Sequence, residues 1–182
     1  HETIRALAWR EPKTFARLMD VLVDATSQYL IAQADAGAEA LQLFESWAST
    51  VPAGLFQQAV LGPTARIVAN VKARHPNISI IGFPRGAGGW LTRYAEATGV
   101  DGVGVDQMTD IAAVDVPARI ARQGNLDPIL LLQGGEAMRA DGKRLVEAMR
   151  GKPFIFNLGH GVMQPTPPEH VAELVATIRG SV

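Results

Sequence analysis

No cysteine occurs among the 182 residues. That excludes disulfides and thiolate metal sites, and it fits a reducing compartment. Charge of either sign is not in excess: the net value is −1 at pH 7. No general electrostatic attraction to nucleic acid follows. An anionic ligand would have to be held by local arginines and histidines. No apolar run approaches the roughly 18–20 residues of a membrane span. The first residues do not look like a signal or transit peptide. The expectation is a cytoplasmic protein with neither nucleic acid nor membrane as partner. What is present is a globular composition, 47% hydrophobic and 19% charged, long enough for one domain with a sizeable core.

The chain opens at His1, and Glu11-Pro12 starts a helix that nothing before it supports. It therefore reads as a piece of a longer polypeptide. Phe15, Leu18, Met19, Leu22, Ala25 and Tyr29 carry helical spacing over 13–36, with Gly37 ending the helix. Leu41 to Phe44 is a short strand with Glu45-Ser46-Trp47 at its end. Pro52 starts a helix with Leu55, Phe56 and Ala59 inward, and Gly62-Pro63 must break or kink it. Ile67, Val68 and Val71 face inward on the next helix, which His75-Pro76 stops.

Ile78 to Phe83 is a strand, and helix Trp90 to Ala97 follows, capped by Gly99. Val103 to Asp106 is a buried strand, and Asp110 to Arg122 is a helix interrupted by Pro117. Gln123 to Asp127 is a strand end, with a short helical piece from Pro128. Helix 139–150, buried strand 154–158 and helix 169–179 complete the pattern, with Val171, Leu174, Val175 and Ile178 on one face of the last.

Strands alternating with helices imply an α/β fold, parallel pairing and covered sheet faces. Regular strand lengths favour a (β/α)8 TIM barrel over an open doubly wound sheet. Five βα units cannot close eight strands, so about three are expected upstream of His1.

The strands are read as apolar, each ending in a polar or glycine-bearing cluster: Glu45-Ser46, Arg85-Gly86, Asp106-Gln107, Asn125-Asp127 and Asn157-Gly159-His160. In a parallel barrel these lie on the rim that carries active sites. Each has a plainer alternative. Glu45 and Ser46 are also suited to capping the next helix or bonding a nearby backbone amide. Arg85 pairs equally well with a surface carboxylate or, beside Gly86-Ala87-Gly88-Gly89, with an anion. That glycine run lacks the spacing of a nucleotide loop. Asp106 has no companions at metal-ligand spacing, and Asn125 and Asn157 suit buried backbone groups. His160 stands between Gly159 and Gly161, which permit a sharp turn and leave its imidazole unshielded. His1, His75 and His170 have no comparable setting.

Phe156-Asn157-Leu158-Gly159-His160-Gly161, followed by Pro165, Pro167-Pro168-Glu169-His170-Val171, resembles the C-terminal motif of the uroporphyrinogen decarboxylase family. Leu41-Gln42-Leu43-Phe44-Glu45-Ser46-Trp47-Ala48, Gln123-Gly124-Asn125-Leu126-Asp127-Pro128 and Gly104-Val105-Asp106 resemble three further motifs, in order across the whole chain. The resemblance implies a (β/α)8 barrel, of which residues 1–182 form the C-terminal part. It implies an enzyme, usually a homodimer, that removes four acetate carboxyls from uroporphyrinogen III to give coproporphyrinogen III, on the route to haem. It also implies no metal, no prosthetic group and no other cofactor.

Carried over by motif, Ser46 hydrogen-bonds substrate and His160 contacts a substrate carboxylate. Arg85 stands where the family has a basic residue, within a variable local sequence.

The family's Arg-Gln-Ala-Gly-Arg segment, its catalytic aspartate and its central tyrosine have no counterpart in these residues. The expectation is that they belong to a missing N-terminal part of the same chain, and that residues 1–182 alone are inactive. A corrinoid-dependent methyltransferase on the same barrel is one alternative. It needs zinc held by His and Cys, and cysteine is absent. A non-catalytic tetrapyrrole-binding half-barrel is the other. With sheet edges left open, residues 1–182 are also expected to be stable only with the other half present.

Overall fold

The computed structural model describes residues 2–180. Two compact units meet in sequence between Val103 and Gly104.

The first unit begins with α1 (Glu2–Arg10) and α2 (Pro12–Asp35). Helix α1 lies where the sequence pattern supported none. Nine residues without a strong cap are marginal alone. Tertiary packing holds them, because Ala8 is buried in one cluster with Phe15 and Leu55. On α2 the buried face is Phe15, Val23, Ser27 and Leu30, whereas Leu22 and Tyr29 are exposed. Ser27 fits this face because its hydroxyl donates to the Val23 carbonyl at 2.6 Å and accepts from Asn70 at 3.1 Å. Gly37, at φ +102°, turns the chain after α2.

Strands β1 (Ala40–Glu45), β2 (Ser79–Pro84) and β3 (Gly102–Gly104) follow in chain order. They pair in parallel, with Glu45 opposite Pro84 and Gly82 opposite Val103. Between β1 and β2, α3 (Ala53–Phe56) and α4 (Gly62–Arg74) are joined by a wide π turn over Gln57–Leu61. The expected break at Gly62-Pro63 is therefore a local widening, which accommodates a proline ring and its missing N–H without ending the helix. After β2 comes α5 (Leu91–Thr98). Its Tyr94 lies under β2 at Gly82, where an added Cβ would stand 2.3 Å from the phenol oxygen.

The second unit holds β4 (Ala121–Leu126), α6 (Pro128–Gln133), α7 (Gly135–Ala148), β5 (Phe154–Leu158) and α8 (Pro168–Arg179). Asp127 caps α6 by accepting from the Ile129 amide at 2.9 Å. Arg139 of α7 binds Glu136 at 2.8 Å and also Glu173 of α8.

Several expectations are corrected here. The helix over 110–122 is absent beyond one tight turn at Ile111–Ala113. The Asp110 carboxylate closes that turn by accepting from the Ala112 amide at 3.0 Å. Buried Val114 and Val116 follow, and Pro117 brings no donor. The Arg122 guanidinium then seals the segment with two bonds, 3.0 and 2.7 Å, to the Val114 carbonyl. Strand β4 thus carries Arg122 and Gln123 and is not apolar throughout.

Strand β5 is a further correction. It alternates half-buried and exposed residues rather than being buried. Within its unit it pairs in parallel with β4, and Ile155 remains 41% exposed. Covered sheet faces fail for β1 too, where Phe44 is 68% exposed. Among the described residues no helix is long and apolar enough to cross a membrane.

Candidate functional site

Ser46 and Arg85 sit one residue beyond the Glu45–Pro84 pair, on neighbouring strand ends. The turn after β1 is made locally. The Glu45 carboxylate accepts from the Trp47 amide at 3.0 Å, leaving exposed Ser46 at the apex. The Arg85 amide donates to the Glu45 carbonyl at 3.0 Å, and the Ser49 amide donates to the Arg85 carbonyl at 3.3 Å. Gly86, at φ +70°, lets the two turns touch, since a Cβ there would stand 2.6 Å from that of Ser49. Stacking of Trp90 on Phe56 at 4.4 Å, with Arg93 over the indole at 5.5 Å, anchors the far end of the glycine loop.

The plainer alternatives for these two residues are not realised among the described residues. The short turn of helix at Ala48–Thr50 has no side-chain cap, and the Ser46 hydroxyl has no partner among the described residues. Arg85 forms no ion pair among the described residues. A hydroxyl and a permanent cation on adjacent strand ends suit a carboxylate-bearing ligand.

His160 belongs to the second unit. Its turn is set by Gly159, whose amide donates to the Leu126 carbonyl at 2.8 Å. Gly159 lies against the Gln107 backbone, where an added Cβ would stand 2.3 Å from the amide nitrogen. The His160 ring is exposed and has no hydrogen-bond partner among the described residues.

The other strand-end polar groups are occupied. Asp106 is 4% exposed and accepts from the Met108 amide at 2.9 Å and the Thr109 hydroxyl at 3.4 Å. Asn125, 7% exposed, donates to the carbonyls of Asp106 at 2.8 Å and Thr109 at 2.6 Å. The Asn157 side chain accepts from its neighbour Leu158 at 2.8 Å. Among the described residues no cluster of His, Asp and Glu suits a metal.

The sequence reading allowed Glu45 to bond a nearby backbone amide, and its carboxylate does so at Trp47. A carboxylate two residues before a free amide was the available signal. Gln107, named in the sequence only as the strand-end neighbour of Asp106, has a side-chain oxygen that is buried without a partner among the described residues.

Parallel strands with connecting helices and unengaged polar groups at the strand ends define an α/β protein of the (β/α)-barrel kind. The profile described as uroporphyrinogen decarboxylase (URO-D) matches residues 1–181, and the chain belongs to that family. It is 47% identical to the uroporphyrinogen decarboxylase of Gluconacetobacter diazotrophicus over 180 residues, covering 98% of this chain and 51% of that protein. It is 51% identical to that of Granulibacter bethesdensis over 177 residues, covering 96% and 52%. With that of Novosphingobium aromaticivorans it shares 45% identity over 182 residues, covering 99% and 53%. The chain spans about half the length of the curated relatives it matches.

Proposed function

We propose that the protein decarboxylates the four acetate arms of uroporphyrinogen III to give coproporphyrinogen III, and that Ser46, Arg85 and His160 hold substrate. One observation carries the reading: the family match runs through all three residues, and their polar groups bond no other side chain among the described residues. Polar groups left free at strand ends are groups kept for a ligand.

The chemistry asks for this kind of site. Loss of carbon dioxide breaks a carbon–carbon bond and leaves an electron pair. A pyrrole protonated at a ring carbon accepts that pair, a second proton adds to the arm carbon to make the methyl, and the ring carbon gives its proton back. Each arm therefore consumes one proton and releases one carbon dioxide. The protein's task is to orient several carboxylates and to stabilise a cation near the ring, which fixed polar groups do better than water. Arg85 supplies a forked donor to one carboxylate. Ser46 positions an arm, and His160 binds and orients another carboxylate rather than being the sole proton donor. The same reading includes a cytoplasmic homodimer working without a cofactor.

The test uses the protein at its natural length, with uroporphyrinogen III under reducing conditions and chromatography of the oxidised products. Stepwise loss of four carboxyls is expected; no conversion overturns the reading. The methyltransferase alternative has no observation in its favour among these 182 residues, which hold no thiolate ligand for zinc.

A further inference from the structure

We infer that Asn125 is a positioning residue for His160, acting through the turn at 106–109; the inference rests on the reading of His160 as a substrate-binding group. Asn125 ends β4 and is buried, with both amide hydrogens committed, one to the Asp106 carbonyl at 2.8 Å and one to the Thr109 carbonyl at 2.6 Å. These two carbonyls are the ends of the turn. Inside it, the Asp106 carboxylate accepts from Met108 and Thr109. One side chain therefore staples a loop that has no ladder of its own.

That loop is the surface on which the histidine turn rests. Gly159 approaches Gln107 so closely that a Cβ would meet its amide nitrogen at 2.3 Å and its Cβ at 2.7 Å. On its other side Gly159 donates to the carbonyl of Leu126, the residue after Asn125, at 2.8 Å. The residue preceding His160 is thus bounded by two backbone segments: the turn that the Asn125 side chain staples, and the end of β4 that Asn125 adjoins in sequence. The imidazole makes no hydrogen bond of its own among the described residues, so only its backbone sets its position. A site group held in that way depends on whatever holds the backbone.

A merely structural asparagine would lower stability without singling out His160. The experiment is a double-mutant cycle in the natural-length protein, with thermal unfolding as the check on folding. We expect Asn125→Ala to lower kcat/KM for uroporphyrinogen III by about tenfold, but by less than about twofold when His160 is already alanine. Equal losses in the two backgrounds overturn the inference. A second readout needs no activity: the His160 imidazole NMR cross-peak, assigned with His160→Gln. It is expected to shift in Asn125→Ala while the His75 peak stays. An unmoved His160 peak overturns the inference. If wild type converts no uroporphyrinogen, the functional reading fails and the imidazole spectrum alone decides the positioning role. Should Asn125→Ala not fold, Asn125→Ser, which keeps one donor, is read by the same two criteria.

Discussion

His160 and Tyr94 are opposite uses of a polar side chain. The His160 ring is exposed and unengaged, and its replacement tests function. His160→Asn in the natural-length protein is expected to lower kcat/KM by roughly ten- to a hundredfold. Turnover reduced to the uncatalysed level would contradict a binding and orienting role. Tyr94 is buried with its phenol hydrogen-bonded to Thr64. Burial, assisted by the Glu45 charge, raises its pKa from 10.0 to about 12 against the opposing Thr64 bond. The folded state thus keeps the proton that the unfolded chain releases. The stabilisation is complete below pH 10 and is lost as pH rises towards 12. It is of the order of 3 kcal/mol. Denaturant titrations of wild type and Tyr94→Phe at pH 9 and about pH 11.5 should show the extra alkaline loss in wild type alone. The glycines around His160 were visible in the sequence; the unengaged ring was not, because hydrogen-bond partners come from distant segments.

At the level of elements, helix–strand contacts and surface ion pairs make different predictions. Gly82→Ala drives a methyl into the Tyr94 ring, and overpacking of this kind costs about 1–3 kcal/mol. Denaturant unfolding should register it. Glu136 is held below the usual carboxylate range by its hydrogen bond and charge attraction to Arg139. Its contribution is present above the ordinary glutamate range and is lost as pH falls through the lowered value, because the unfolded chain then binds the proton more tightly. The pair is exposed, so the effect is small and screened by salt. The fall in melting temperature from pH 7 to about 3.5 should be slightly shallower in Glu136→Gln than in wild type.

Elements with strong local periodicity were legible. The helix ending at Asp35, strand β5 and helix α8 all fall where apolar spacing puts them. The segment 110–120 was not, because Asp110, Arg122 and Pro117 make a tied loop from residues whose spacing imitates a helix.

For the molecule, the exposed apolar residues of β1 and β5 dominate. Phe44 and Ile155 lie on strands that each have one neighbour within their units. Unpaired strand edges promote association. Residues 1–182 expressed alone should therefore self-associate, measured by light scattering against concentration. A soluble monomer that unfolds cooperatively would contradict this.

The sequence by itself determined the family, the α/β class and the placement of Ser46, Arg85 and His160 at strand ends. Those depend on motif order and on periodicity within a few residues. Only the tertiary structure decided which strand-end groups are engaged. Asp106 and Asn125 bond across a turn and a neighbouring strand, while His160 does not. Those partners lie up to 19 residues apart, a separation that no local pattern encodes and that chain packing alone brings within hydrogen-bond reach.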